Sequence, residues 1–581
     1  MAYSRLQKLG SYIQPHWKQS LIGIFALLLV NGLGVYIPLL IRNGVDDLES
    51  ATNLSQIQGQ VLLVLGLASL MWVIRMISRI LIFGVGRQVE FDLKQKIFEH
   101  LLNLEPSYFS NSRIGDLINR ATSDVDNIRR LLGFAILSLA NTVFAYGLTL
   151  PVMLSINVKL TLLSVSVYPI MLILVQVFSD KLREEQIEVQ EKLSNISDLI
   201  QEDMSGISLI KIYAQEENEQ RAFERYNYEL FSANLALAKT RNFLFPVLGG
   251  LASLSLLILL AVGDSVIAQG DLSIGNFVAL VLYIERLVFP TALLGFTITA
   301  YQRGEVSIDR VEAILNVKPK IYNHPDPISL FTPVQGWLSV RDLSYSYPGE
   351  KEQALDRVNF TIKPGETVAI VGPIGSGKST LANAIPRLLD IDIDRVFLDG
   401  QDITQLRLSE LRNAIAYVPQ ESFLFSTTIR ENIRYGNPVA DSYAIESAAK
   451  IAQINDEIIN FPRQYETIVG ERGITLSGGQ RQRTALARAL LVDAPVLILD
   501  DALSSVDNQT ATGILQNLTT GTQRKTVVFI SHQMSAAAKA DRILVMDRGQ
   551  IIQEGTHEEL VQRKGLYQTL WNQHQLEELL T

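Results

Sequence analysis

The sequence predicts two domains of unlike physics: a membrane all-α domain of six helices with long cytoplasmic helical extensions, then a soluble α/β domain. Three observations carry this expectation. Residues 1–317 hold six long apolar runs. Residues 337–581 alternate short apolar strands with helical stretches. Between them, 318–336 (KPKIYNHPDPISLFTPVQG) is rich in Pro and polar residues and reads as a linker. With 581 residues the chain is too long for one core. Apolar residues make up 48% and charged residues 19%, which fits if oil and charge occupy different regions.

The membrane spans are expected at about 19–42, 58–84, 131–155, 158–179, 242–268 and 274–300. Each is long enough to cross a hydrocarbon layer of ~30 Å. The first follows a basic N-terminal stretch without a small-residue cleavage site, so it reads as a retained span. The connecting segments set the orientation. Segment 43–57 carries acids and no Lys or Arg, whereas 86–130 and 180–241 are rich in both. The positive-inside rule then puts both termini, both long loops and the second domain in the cytoplasm, on a multi-pass protein of the cytoplasmic (inner) membrane. Those long loops have helical spacing and few Gly or Pro, so they read as extensions of the spans, turning near 107–116 and 205–215. Arg75 and Arg79 fall in the second span, and Glu285 and Arg286 in the sixth. Charge at membrane depth suggests either a lined pathway or pairing and snorkelling between helices. Adjacent residues such as Glu285 and Arg286 point about 100° apart on a helix, so both cannot face a cavity squarely.

The second domain carries the chemistry. VAIVGPIGSGKST (368–380) is a strand, a glycine-rich loop and a helix start. Its Gly372, Pro373, Ile374, Gly375, Ser376, Gly377, Lys378, Ser379 and Thr380 fit a phosphate-cradling loop. Lys378 supplies charge to the β- and γ-phosphates, the Ser379 hydroxyl can ligate Mg²⁺, and the helix start faces the phosphates. VLILD ends on Asp500, a carboxylate placed to hold Mg²⁺ directly or through water. The domain therefore reads as a P-loop domain that hydrolyses a Mg²⁺-bound nucleotide, joined to a membrane domain. TLSGGQRQRTALARAL (475–490) adds a second Ser-Gly-Gly helix start, about a hundred residues from the first. A nucleotide sandwiched between one chain's lysine loop and another chain's Ser-Gly-Gly turn uses both. A net charge of −9 argues against nucleic acid as a partner, and the absence of cysteine excludes disulfides and thiol chemistry.

These motifs resemble the ATP-binding-cassette (ABC) exporters that fuse six spans to one nucleotide-binding domain, specifically half-transporters of the multidrug/lipid type. LSGGQ, Leu476, Ser477, Gly478, Gly479 and Gln480, is similar to the family signature. The resemblance implies further roles. Tyr347 stacks on adenine. Gln420 senses Mg²⁺ and the membrane domain. Asp507 ends a loop that crosses the dimer interface, and His532 contacts the γ-phosphate. ERG (471–473), YFSNSRIGDLINRATSDVD (108–126) and GISLIKIYAQEE (206–217) lie where such exporters join their domains. In the family the residue after the metal aspartate is usually glutamate, acting on the attacking water. Here it is Asp501, whose carboxylate sits back by about 1.5 Å, one C–C bond. Misplacement of ~1 Å can cost about 100-fold in rate.

The expectation is ATP-driven export of an amphipathic or hydrophobic drug, lipid or peptide, by a pair of half-transporters in a lipid bilayer. The pair is a heterodimer whose partner carries Asp-Glu, leaving this chain's own ATP site weak, or else a homodimer with two slow sites. An ATP-gated regulatory or channel subunit is the alternative of a different class.

Overall fold

The computed structural model describes residues 2–49, 54–350, 352–470, 473–519 and 524–580. Glu471 and Arg472 of the ERG segment lie outside the described residues. The chain divides into two compact units, Met1–Leu102 with Arg113–Val317, and Asn103–Ser112 with Lys318–Thr581.

Among the described residues of the first unit, six helices are long and apolar enough to cross a membrane: Gln7–Leu48, Ile57–Leu102, Ile114–Ile156, Val158–Ser205, Glu216–Ala268 and Ile274–Leu315. Each contains one expected span. The extensions are helical too: Leu54–Leu102 is unbroken over 49 residues and Glu216–Ala268 over 53. At 1.5 Å per residue these run about 74 and 80 Å, far more than a bilayer core requires. The chain reverses at two short helices, Pro106–Ser110 and Ile207–Ile212.

An apolar face alone does not hold helices together in lipid, where the surroundings are equally apolar; close packing and interhelical hydrogen bonds do. Tyr283 donates its hydroxyl to the Val35 carbonyl at 2.7 Å, and Tyr168 donates to Ile284 at 2.7 Å. Ser78 bonds the Gly23 carbonyl at 2.8 Å, and Thr297 bonds Ser138 at 2.7 Å. Around these lie two apolar clusters, one including Met171, Leu244, Leu259 and Ile284, the other Ile97, Ile128, Leu131 and Val311. Near the second, Asp124 is 4% exposed. It accepts from Ser307 at 2.7 Å and faces Arg310 at 3.3 Å, tying the third long helix to the sixth.

The second unit is built on two sheets. Its strands are β1 (Leu338–Tyr345), β2 (Leu355–Ile362), β3 (Thr367–Val371), β4 (Val396–Leu398), β5 (Gln401–Asp402), β6 (Ile415–Val418), β7 (Val496–Asp500), β8 (Thr526–Ile530), β9 (Arg542–Asp547) and β10 (Gln550–Gly555). The larger sheet has the order β10-β9-β3-β8-β7-β6 and is parallel except for the β9–β10 pair. β3, β7 and β8 are buried along their whole length, as strands covered on both faces must be. Val368 and Ile370 face one apolar layer, Ala369 and Val371 the other. The smaller sheet, β2-β1-β4-β5, is antiparallel.

The segment read as a linker is strapped onto this unit. Ile328 N–H donates to the Gln405 carbonyl at 2.9 Å, Leu330 N–H to Glu410 at 2.8 Å, and Gln335 N–H to Asp399 at 2.7 Å. Residues 103–112, at the first turning point, also pack with the second unit. Glu105 there is 8% exposed and accepts the Lys320 N–H at 3.2 Å.

Asp124→Ala leaves the Ser307 hydroxyl and the Arg310 guanidinium short of an acceptor. It is expected to cost about 1–3 kcal/mol, read as a lower midpoint of thermal unfolding in detergent; an unchanged midpoint refutes the structural role of this network.

Candidate functional site

Three adjacent strands of the larger sheet deliver their C-terminal ends to one place. β3 runs into the glycine-rich loop, β7 stops at Asp500, and β8 leads to Ser531 and His532. Ligands bind at such strand ends in open α/β sheets because the connections diverge there. The resulting cleft has a volume of about 650 Å³. It brings together Tyr347, the loop from Ile374 to Thr380, Gln420, Asp500, Asp501 and His532.

The loop is shaped for close approach. Gly377 holds φ +97°, and a Cβ there would lie 2.4 Å from the Ala354 carbonyl oxygen, so no side chain fits. Lys378 is 6% exposed, and its ammonium donates to the carbonyls of Gly372 at 2.9 Å and Pro373 at 2.7 Å. Burial pulls its pKa down, while Asp501 and then Asp500 push it back up. Gly375 has open space around it, and Ile374 projects, 92% exposed, at the mouth. Ser376 is buried. Thr380 lies 3.3 Å from the Tyr347 hydroxyl, which anchors that aromatic beside the loop.

Ser379 donates its hydroxyl to Asp500 Oδ1 at 2.9 Å. Tyr417, on β6, donates to Asp500 Oδ2 at 3.3 Å and to Asn383 at 2.8 Å. Burial raises the Asp500 carboxyl above the usual range, and these hydrogen bonds partly offset it. Hydroxyl and carboxylate are hard oxygen donors of the kind Mg²⁺ takes. Among the described residues no group of three or more His, Asp or Glu gathers to hold a metal ion. Phosphate oxygens and water would therefore have to complete any coordination by Ser379 and Asp500.

Asp501 sits in a sharp turn with φ +50°, a conformation that Asp adopts more readily than most residues. Its amide donates to the Ile530 carbonyl at 3.1 Å, and its own carbonyl accepts from Ser504 at 2.9 Å. Burial raises its carboxyl, against the opposing pull of His532, the Ser504 hydrogen bond and Lys378. His532 and Gln420 line the cleft as exposed side chains.

The LSGGQ residues lie elsewhere. None of Leu476, Ser477, Gly478, Gly479 or Gln480 lines this cleft. Leu476 is buried, and Ser477 caps the helix Gly478–Leu491, with Gln480 completing a reciprocal capping box. At Gly479 a Cβ would meet the Ser505 carbonyl oxygen at 2.7 Å, so this chain's own packing requires glycine. At Gly478 the nearest atoms would be 3.4 Å away, an ordinary contact. Internal packing does not demand that glycine. Asp507 also lies outside the cleft; it caps the helix Asn508–Thr519, accepting the Thr510 N–H at 2.9 Å. That backbone hydrogen bond holds its carboxyl below the usual range.

Sequence reading missed three residues here. Tyr417 steadies Asp500. Gln482, on the Ser477-capped helix, donates to Ser504 at 3.0 Å and accepts from the Ser505 amide at 2.9 Å. Gln533 donates to the Val506 carbonyl at 3.1 Å. Gln482 and Gln533 thus grip the turn after Asp501 from two sides. Their positions beside motif residues were the available signal; their targets required the fold.

Residues 20–291 match the family model described as ABC transporter transmembrane region, and residues 355–504 the one described as ABC transporter. The chain is 32% identical to a probable multidrug resistance ABC transporter ATP-binding/permease protein of Bacillus subtilis, covering 99% of this chain and 98% of the relative. It is 33% identical to an ATP-dependent lipid A-core flippase of Desulfotalea psychrophila, covering 98% and 99%. A solved bacterial Atm1-family ABC exporter with ATP bound superposes with a TM-score of 0.77 at 25% identity, over 96% of this chain and 99% of that one.

Gln482→Ala removes the clamp between the capped helix and the Asp501 turn. ATP hydrolysis at this chain's own cleft is expected to fall about 10-fold through loss of positioning, with nucleotide affinity unchanged. A parallel loss of affinity would mean that Gln482 supports the fold and not the turn.

Proposed function

Because the chain belongs to the ABC transporter family, as a six-span exporter domain fused to its ATPase domain, we propose that it is one half of a two-subunit exporter. It moves an amphipathic or hydrophobic compound, drug, lipid or peptide, out across the cytoplasmic membrane, with its ATPase domain in the cytoplasm. The partner is a different half-transporter that carries glutamate where this chain has Asp501.

One observation carries the two-chain reading. The signature turn and the phosphate cleft are separate surfaces of the same chain, and Gly478 is a glycine that this chain's own packing does not demand. Both facts are accounted for if ATP is held between the cleft of one subunit and the Ser477–Gln480 turn of the other. Curated relatives named as a multidrug resistance transporter and a lipid A-core flippase support the class of cargo.

In this mechanism Lys378 exchanges the Gly372 and Pro373 carbonyls for phosphate oxygens. Ser379 and Asp500, with Gln420, would hold Mg²⁺, which would supply positive charge against the phosphates. Asp501 positions the attacking water and His532 meets the γ-phosphate. Closure of the two ATPase domains is favoured by ATP because both surfaces grip it only when closed. The intracellular helices pass that closure to the membrane helices.

The short Asp501 side chain makes this chain's own cleft the weaker site, while its intact signature completes the partner's. The intact His532 supports a second reading, a homodimer with two slow sites.

Asp501→Glu is expected to raise ATP turnover by the purified assembly, on the order of 10- to 100-fold at this site; a rate that stays flat or falls removes the short-carboxylate argument. Lys378→Ala is expected to weaken nucleotide binding, measured by titration with a fluorescent ATP analogue, and undiminished affinity would overturn the cleft assignment. Asp501 must be ionised to polarise water, and burial raises its pKa. Hydrolysis at this chain's own cleft is therefore expected to fall with decreasing pH through a point above the ordinary aspartate value of ~3.9, and Asp501→Asn to remove that limb. An unshifted limb in the variant assigns it to another group.

A further inference from the structure

The membrane unit carries charge that the exporter reading leaves unused. Two cavities open between its helices. One, about 850 Å³, is lined by Arg129, Arg130, Arg183, Arg241 and Arg303, with no Asp or Glu. The other, about 550 Å³, is lined by Arg75, Arg79 and Arg286, with Glu285 its single carboxylate. Phe134 lines both, so the two cavities abut. Phe296 stands in the first, and Phe83 and Phe289 in the second. The combined space has cationic points on aromatic and aliphatic walls.

Few of these cations are neutralised. Arg129 and Arg130 pair with Asp126 at 2.6 and 2.7 Å. Among the described residues the other six arginines make no ion pair. Arg286 is nevertheless held in place: it donates to Asn31 Oδ1 at 3.0 Å and to the Asn31 carbonyl at 3.2 Å. Asn31 is 2% exposed and is fixed in turn by donating to Asn141 at 3.1 Å. Gly34 makes room for the guanidinium, since a Cβ there would overlap Arg286 Nη1 at 1.3 Å. Arg286 Nε is buried without an acceptor.

The positive-inside rule explains arginines at the cytoplasmic ends of spans. It explains neither their convergence on one concave surface nor Arg75, Arg79 and Arg286 within the apolar runs. A fixed, unpaired guanidinium at membrane depth is costly unless an anion joins it.

We propose that the cargo is an amphiphile with an acidic head, a phosphate or carboxylate, whose head is taken by these arginines and whose tail lies against the phenylalanines. This rests on the exporter reading and names its substrate class. Cationic amphiphiles are disfavoured by the same field.

The test uses the full assembly in liposomes, with dodecyl phosphate, dodecanoate, dodecyltrimethylammonium and inorganic phosphate as probes of ATP hydrolysis. Either acidic amphiphile is expected to stimulate saturably, and the ammonium and free phosphate are not. Arg75→Gln with Arg286→Gln is expected to raise the half-saturating concentration about 10-fold, the effect of losing a charged contact of ~1.4 kcal/mol. Arg286→Lys recovers part of it. Should the double variant fold poorly, Arg183→Gln with Arg303→Gln supplies the same measurement from the other cavity. Stimulation by the ammonium equal to that by the acidic amphiphiles overturns the proposal, as does free phosphate acting alone or an unmoved half-saturation. If the assembly transports a cationic amphiphile on ATP, the anion assignment falls and the exporter reading stands. If ATP drives no amphiphile at all, both fall.

Discussion

Lys378, Asp500 and Asp501 share the C-terminal edge of the parallel sheet and are nearly excluded from water, at 6%, 3% and 8% exposure. One ammonium sits among two carboxylates, and burial works against the charged form of each. Such a cluster persists only if each member is held by several bonds. The loop carbonyls hold Lys378, Ser379 and Tyr417 hold Asp500, and the turn closed by Ser504 holds Asp501. Two carboxylates against one ammonium leave negative charge over, which suits phosphates that arrive with a divalent cation. The buried strands and the two apolar layers on either side of the sheet exist to keep that edge rigid.

The same rigidity links the cleft to the signature turn. Gln482 stands one turn into the helix that Ser477 caps, and its amide holds the peptide units that follow Asp501. Gln533 ties the next residue of that loop to the segment carrying His532. A shift at the signature therefore reaches the Asp501 turn through two direct hydrogen bonds. Under the two-chain reading, each subunit's signature helix responds to its partner's nucleotide and also steadies its own cleft, which couples the two sites through short bonded paths.

In the membrane unit the balance differs. Hydroxyls of tyrosine, serine and threonine satisfy carbonyls and hydroxyls on neighbouring helices, and this directional bonding fixes the packing. Among these bonds Arg75, Arg79 and Arg286 stand out, because charge without a counter-ion is what a low-dielectric layer tolerates least.

Much of this was legible from the chain. Length and unbroken apolarity mark six helices, since a helix satisfies every backbone group within one such run, whereas a barrel strand is shorter and alternates. Their extensions followed from helical spacing in 180–241, and β3 and β7 from the short apolar runs VAIV and VLILD, each leading into a motif residue. The antiparallel sheet escaped notice because its strands are irregular: β1 pairs with β2 through two register shifts, and Asp342 and Arg357 adopt positive φ. The Pro-rich segment 318–336 read as a linker, and its sequence did not show that its amides are bonded to Glu410 and Asp399, residues distant in sequence. The sequence by itself determined which side chains stand on the glycine-rich loop and at the end of β7, and that the carboxylate after Asp500 is one carbon shorter than glutamate. Tertiary structure decided that the Ser477 turn lies outside this chain's own cleft, that Gln482 and Tyr417 hold the reactive edge, and that eight arginines gather around two adjoining cavities. Chemistry belongs to single side chains and is written locally. Adjacency depends on strand order and helix packing, which bring together residues that no spacing along the chain connects.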